Sequence, residues 1–510
     1  MKLSNVQKGG KMKYSKIKTG CIDGFKVENI LVEIDVNSRS TQQTFKIVGM
    51  PSTSVLESEK RVTSAIRNTG FTIPNGSIVA NLSPTSMRKD GSHFDLPIAV
   101  SLLEASGQIK ELSEDYYIFG ELGLNGEVRP VSGISLFLMY IKERNQQAKF
   151  IIPRGNQGES KFVEKNEVIV IDSLKDIENI SLGILDDYSP KYEDIVQPSY
   201  NLDFREIKGQ IFAKRGIEIA ASGFHNVLMR GSPGSGKTMI AKRVPTILPD
   251  MTREEIIEST MIYSVAGYMN TIIDKRPFRS PHHTASTASI IGGGAVPKPG
   301  EISLAHNGVL FMDEFPEYRT DVIESLRQPL EDGEVTVTRA KSVANFPARF
   351  MLIASQNPCP CGYYGDKEIE CTCSLNQILN YNRKISGPIL DRIDIRIDTP
   401  RVKIDELMSK EDGESSEKIK ERVSKASQIQ IKRQNKLNGK LSNKEVKKFA
   451  ALTEKAEDFL KQAAINLKLT ARSVNRVVRI SRTIADTFDS KNVEVSHVSE
   501  ALNYRGRKII

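Results

Sequence analysis

Apolar positions in the first 187 residues come in short runs separated by turn signals. Runs at 45–48, 77–81, 117–119, 150–152 and 168–171 have strand length and composition, and 55–68 and 96–105 repeat apolar residues at helical spacing. This interleaving predicts a mixed α+β domain. Residues 188–200 lose all apolar periodicity and include Pro190 and Pro198, as a linker does. From 201 to 400, strand and helix patterns alternate. A buried-strand pattern at 226–230 precedes a helix over 239–247, and further buried-strand runs lie at 309–312 and 349–354. That alternation predicts a parallel sheet with crossover helices. Beyond 400 the pattern is helical: 417–437 is polar and lysine-rich, while 443–467, 471–488 and 495–502 are amphipathic. The expected fold class is α/β multidomain, with an α+β domain at 1–187, a linker at 188–200, an α/β core at 201–400 and a helical lid at 401–510.

Composition changes this picture little, and charge changes it more. The 510 residues suffice for several domains, and 39% hydrophobic with 26% charged residues is ordinary globular usage. No apolar run is long enough to span a bilayer, and the lysines near the start are not followed by the apolar stretch of a secretory signal. A cytoplasmic protein without membrane contact is expected. The formal net charge is +9, and residues 401–510 hold 25 Lys and Arg against 15 Asp and Glu. The whole surplus therefore sits in the last segment. A solvated helical surface and a nucleic-acid face both account for it.

The candidate chemistry lies in the 201–400 segment. Gly231-Ser232-Pro233-Gly234-Ser235-Gly236-Lys237-Thr238 follows an apolar strand and opens a helix, with the spacing of a phosphate-binding P-loop. Its glycines let the backbone wrap closely around phosphate. Exposed N–H groups and the helix start attract the anion. Lys237 sets a cation against the β- and γ-phosphates, and the Thr238 hydroxyl can ligate Mg²⁺. ATP and Mg²⁺ are the ligands expected. The strand at 309–312 ends on Asp313 and Glu314. An Asp at this place in P-loop enzymes holds Mg²⁺, and a neighbouring carboxylate can take a proton from the attacking water. Asn357 follows another apolar strand, where ligands gather in a parallel sheet, within reach of the γ-phosphate or the water.

Cys359, Cys361, Cys371 and Cys373 form two close pairs within a loop at 358–374. Four such thiols can make a tetrahedral structural zinc site; four reduced thiols packed in a loop is the plain alternative. The adjacent His282 and His283 read as a packing or hydrogen-bonding pair rather than metal ligands.

Longer motifs carry a family resemblance. They are Phe278-Arg279-Ser280-Pro281-His282-His283-Thr284, the stretch 299–308 beginning Pro299-Gly300-Glu301, Leu326-Arg327-Gln328-Pro329-Leu330-Glu331-Asp332-Gly333, and Asn357-Pro358-Cys359-Pro360-Cys361-Gly362. Together with the P-loop they resemble the YifB/ComM family of magnesium-chelatase-like AAA+ ATPases over about residues 17–484. The resemblance implies an arginine finger at Arg392, within Leu390-Asp391-Arg392-Ile393-Asp394, and a sensor arginine at Arg472 in the lid. Without it, neither can be told from an ordinary helix arginine. A finger acting on a neighbouring subunit implies a homo-hexamer with ATP sites at subunit interfaces. The resemblance also implies pore insertions at 280–300 and at a hairpin beginning at 334. Arg339 and Lys341 at its tip are candidate DNA contacts, and solvated turn residues are the alternative. The segment 1–14 departs from the family's usual short start, and Met12 is a second candidate initiator.

The stretches 90–97 and 119–131 resemble the Lon-protease-like (S5-like) fold. Aligning its motifs puts His93 at the nucleophile position, one residue from Ser92, and Ser135 at the lysine position. With the Ser/Lys dyad replaced, no peptidase activity is expected. The leading functional expectation is a hexameric AAA+ ATPase acting on single-stranded or branched DNA, a helicase promoting branch migration in homologous recombination and natural transformation. A magnesium-chelatase-like ATPase remodelling a protein partner is the alternative.

Overall fold

The computed structural model describes residues 14–163, 167–184, 200–294, 297–339, 342–402, 404–408 and 412–505. Nearly all of the expected linker, Met12 and Lys341 lie outside these residues, as does the side chain of Arg339. The chain divides into two compact units, Met1–Val196 with Ile256–Ile273, and Gln197–Glu255 with Asp274–Ile510.

The first unit is built on a seven-stranded mixed sheet in the order Thr44–Val48, Ser77–Ser83, Lys26–Asn37, Tyr14–Asp23, Tyr116–Ile118, Lys149–Pro153, Val168–Ile171. Tyr14–Asp23 and Lys26–Asn37 pair antiparallel as a hairpin whose tight turn uses Gly24 at φ +64°. The helix Asp95–Ala105 is buried along its whole length and packs on the hairpin. His93, beside it, is also buried. Its Nε2 lies 2.9 Å from the Gly20 carbonyl, and its ring packs against Phe94 and Phe137. Burial pushes this imidazole down to about 4. Ser135 donates its backbone N–H to Glu159 at 3.0 Å, while its buried hydroxyl has no hydrogen-bond partner among the described residues.

The second unit has a five-stranded sheet in the order Phe278–Arg279, Val309–Met312, Met351–Gln356, Val227–Arg230, Ile395–Asp398. Every neighbouring pair is parallel. The three central strands are apolar and buried on both faces, as crossover helices on both sides require. All five strands end at one edge, so the segments after Arg230, Arg279, Met312, Gln356 and Asp398 converge there. A separate hairpin pairs Glu334–Arg339 with Ser342–Pro347.

Among the described residues from 412 onward there are five α-helices: Ser416–Gln434, Asn443–Phe449, Glu454–Asn466, Ala471–Thr487 and Val495–Asn503. The single helix expected at 443–467 is two, because the Thr453 hydroxyl caps a fresh start by accepting from the Ala456 N–H. Much of the local positive charge is turned inward. Arg433 and Arg482 pair with Asp486 at 2.6 and 2.9 Å, Arg476 pairs with Asp394, and Arg479 donates to the Leu441 carbonyl at 2.6 Å. Lys425, Lys432, Lys444, Lys447 and Lys448 are exposed. Among the described residues, no helix is long and apolar enough to cross a membrane.

Candidate active site

The phosphate loop leaves the strand Val227–Arg230 at the convergent edge of the sheet and enters the helix Lys237–Arg243. Gly234 and Gly236 hold left-handed φ values of +76° and +89°, and a Cβ on either would project into open space. The cradle is thus open on the side where an anion would lie, with a helix N-terminus behind it. Gln210 steadies it from below, donating to the Ser235 carbonyl at 2.9 Å and the Pro400 carbonyl at 2.6 Å.

Lys237 is buried, and its ammonium donates to the carbonyls of Gly231 (2.6 Å) and Ser232 (3.0 Å) and to Asn357 Oδ1 (3.3 Å). Burial pushes it down to about 8, against the opposing pull of Asp313 and Glu314. Thr238 Oγ1 donates to Asp313 Oδ2 at 2.8 Å. The other Asp313 oxygen accepts from the Ser355 hydroxyl and, at 3.0 Å, from the Glu314 N–H. Thr238 and Asp313 are the pair that would hold Mg²⁺, and hard oxygen donors at this spacing fit that ion. Glu314 adopts a left-handed φ of +50° and keeps its side chain half-exposed, 3.4 Å from His283 Nδ1. The His282 and His283 rings pack at a tilt with centroids 4.2 Å apart, and the Tyr318 hydroxyl fixes their turn by donating to the Pro281 carbonyl at 2.6 Å.

The structure therefore brings Lys237, Thr238, Asp313 and Asn357 together, with Glu314 beside them. The two expected arginines have other partners. Arg392 pairs with Glu331 and donates to the Pro388 carbonyl at 2.9 Å. Arg472 is largely exposed, 3.7 Å from Asp391.

The four cysteine sulfurs all lie within 4.8 Å of one another. Cys359, Cys361 and Cys371 are mutually 3.3 to 3.6 Å apart. Backbone N–H groups of Tyr364 and Cys361 point at the sulfurs of Cys359 and Cys373, at 3.3 and 3.4 Å. A tetrahedron of Zn–S bonds of about 2.3 Å spaces its sulfurs about 3.8 Å apart. Spacing, donor set and N–H···S contacts fit a zinc-class ion.

Three family models cover most of the chain. The description "magnesium chelatase, subunit ChlI" matches residues 203–407, "subunit ChlI of Mg-chelatase" matches 32–156, and "magnesium chelatase, subunit ChlI C-terminal" matches 413–505. The protein YifB of Escherichia coli is 39% identical over 97% of each chain. The competence protein ComM of Haemophilus influenzae is 39% identical over 94% of this chain and 95% of its own. The chain belongs to the YifB/ComM magnesium-chelatase-like family. A more distant match, 21% identical over 56% of this chain, is the maternal DNA replication licensing factor mcm6 of Xenopus tropicalis. Membership of this AAA+ family suggests ATPase activity, and the 203–407 match spans the phosphate loop, the acid pair, the cysteines and Arg392.

Sequence reasoning passed over three residues that the site uses, and read a fourth, His283, only as half of a packing or hydrogen-bonding pair. Ser355 stands two positions before Asn357 and holds Asp313. His283 faces Glu314. Asp366, in the cysteine loop, accepts from the Ser232 hydroxyl at 2.6 Å, and Arg401 lies 3.1 Å from the same carboxylate oxygen. The only signal for Ser355 was its place at a strand end. Asp366 and Arg401 had none, because both look like ordinary surface charges.

Proposed function

We propose that the protein is an ATP-hydrolysing AAA+ motor that works on DNA as a homo-hexamer, a helicase promoting branch migration of recombination intermediates. The observation carrying the ATPase reading is the hydrogen-bonded chain from Lys237 through Asn357, and from Thr238 through Asp313 to Ser355, at the carboxyl edge of a parallel sheet. Lys237 and the loop N–H groups bind and orient the phosphates. Mg²⁺, when bound, neutralises charge on the β- and γ-oxygens. Asp313 keeps one oxygen on Thr238 and is fixed through the other, so its geometry is set before nucleotide arrives. Glu314, half-exposed, receives the proton of the attacking water. Arg392 serves the site of a neighbouring subunit in a ring, and Arg472 is the sensor arginine of the lid, acting near the γ-phosphate.

The DNA reading draws on the relative named as a competence protein, on the exposed lysines of the C-terminal helices, and on the hairpin Glu334–Arg339 with Ser342–Pro347 as a pore element bearing Arg339 and Lys341. The first unit is proposed to be a Lon-protease-like domain without peptidase activity. Its His93 is walled by aromatic rings, and Ser135 offers no base. The four cysteines are proposed to hold structural zinc. The magnesium-chelatase descriptions favour one rival, an ATPase that remodels a protein partner. ATP turnover with and without forked DNA, against a Lys237→Ala blank, separates them. Turnover raised by DNA and lost in the blank supports the motor. Turnover indifferent to DNA supports the rival.

A further inference from the structure

The cysteine loop is more than a neighbour of the phosphate loop. Between the cysteine pairs, residues 362–370 contribute no buried side chain to a core; Tyr364, Gly365, Lys367, Glu368, Ile369 and Glu370 are exposed. Such a stretch has little apolar contact to offset its ordering entropy, so its course is set by its two ends, which are the cysteines. Yet it makes two close contacts with the nucleotide cradle. Asp366 takes the Ser232 hydroxyl at 2.6 Å. Gly362, at φ +89°, lies so near the ring of Pro233 that a Cβ there would be 2.6 Å from Pro233 Cδ. Arg401 closes the arrangement from the far side, 3.1 Å from Asp366 and with its guanidinium 5.5 Å from the centre of the Tyr363 ring. Pro400, just before it, is tied through Gln210 to Ser235. Both flanks of the phosphate loop are thereby fastened to elements that meet at Asp366.

We propose that a zinc-class cation on Cys359, Cys361, Cys371 and Cys373 braces the phosphate loop through Asp366, so that occupancy of the cysteine site sets nucleotide affinity. The inference rests on the nucleotide reading above. Asp366 acts as a positioning residue. It holds Ser232 and, with Gly362, fixes the curvature of the loop around Pro233. Loss of the cation releases the two loop ends, and with them the carboxylate that accepts from the Ser232 hydroxyl.

The test uses full-length protein purified without chelator. Elemental analysis is expected to find about one zinc per chain. Stripping with a thiol-competing chelator, followed by restored Mg²⁺, is expected to weaken Mg-ADP binding about tenfold by calorimetry, the scale of one lost charge-assisted contact, and added Zn²⁺ is expected to restore it. Asp366→Ala should keep its zinc, bind Mg-ADP like the stripped protein, and show no further loss on stripping. Asp366→Asn, which keeps an acceptor for Ser232, should recover part of the affinity. A metal that only stabilises the fold would lower the melting temperature without moving the dissociation constant, and that result overturns the coupling, as does a cluster that binds no zinc. Absence of Mg-ADP binding in both forms overturns the nucleotide reading and this inference with it, whereas equal, tight binding in both overturns the coupling alone.

Discussion

Each unit carries a place where a motif points to catalysis, and the two are built in opposite ways. At the edge of the second sheet, Lys237, Thr238, Asp313, Ser355 and Asn357 bond to one another and leave Glu314 half-exposed. In the first unit, His93 is sealed among aromatic rings and bonded to a main-chain carbonyl, and the Ser135 hydroxyl is buried without a partner among the described residues. Polar groups at the first place are held in position yet remain available. At the second they have become part of a core. The aligned motif positions, His93 and Ser135 in place of a dyad, already set these cases apart, and burial and hydrogen-bond partners give that difference its physical form.

The comparison can be broken most sharply at Glu314. Glu314→Gln should cut ATP turnover about a thousandfold, as loss of a general base does, while nucleotide binding measured by calorimetry persists. Parallel loss of binding would mean that the residue shapes the cradle instead. The next largest effect belongs to the first unit. His93 has its native value near 4, below the ordinary 6.5 of the unfolded chain, so the unfolded state binds the extra proton between them. Its contribution is complete above about pH 6.5 and is lost as pH falls toward 4, about 3 kcal/mol in all. Denaturant melts from pH 7 to 4 should show this loss, and His93→Phe should flatten the slope. Ser355→Ala frees one oxygen of Asp313 and should lower turnover about tenfold, with the Mg²⁺ dependence shifted to higher concentration. The smallest change is expected for Ser135→Ala. Removing a buried hydroxyl that has no partner should leave turnover unaltered and move stability by less than about 0.5 kcal/mol, in the stabilising direction. A large loss there would reveal a hidden role for Ser135.

The same contrast governs what could be read from the sequence. The strands Val227–Arg230 and Val309–Met312 were legible almost to the residue, because strands buried on both faces are continuous apolar runs with chemistry at their ends. The hairpin strand Tyr14–Asp23 was not. Its buried face includes Ser15 and Thr19 as well as Ile17 and Cys21, so its alternation does not register as hydrophobic. Ser15 is tolerated inside because it donates to Glu104 at 2.6 Å, a partner 89 residues away. The helix Arg253–Ala266 hides in the same way behind buried Ser259, Thr260 and Ser264, and the grouping of Ile256–Ile273 with the first unit had no signal in the chain. At the site, motif spacing led to Lys237, Asp313 and the cysteines. Asp366 and Arg401 emerged only when the fold brought distant polar loops together.

Glu314 is one of the described non-glycine residues held at positive φ, and it sits beside the phosphate loop. A non-glycine residue held at φ +50° costs the fold something of order 1 kcal/mol. Glycine or asparagine would sit there with less strain. Selection for heat tolerance alone would therefore favour replacing this glutamate, and under the general-base role proposed for it, each such gain in robustness would leave a protein that grips its nucleotide but no longer spends it.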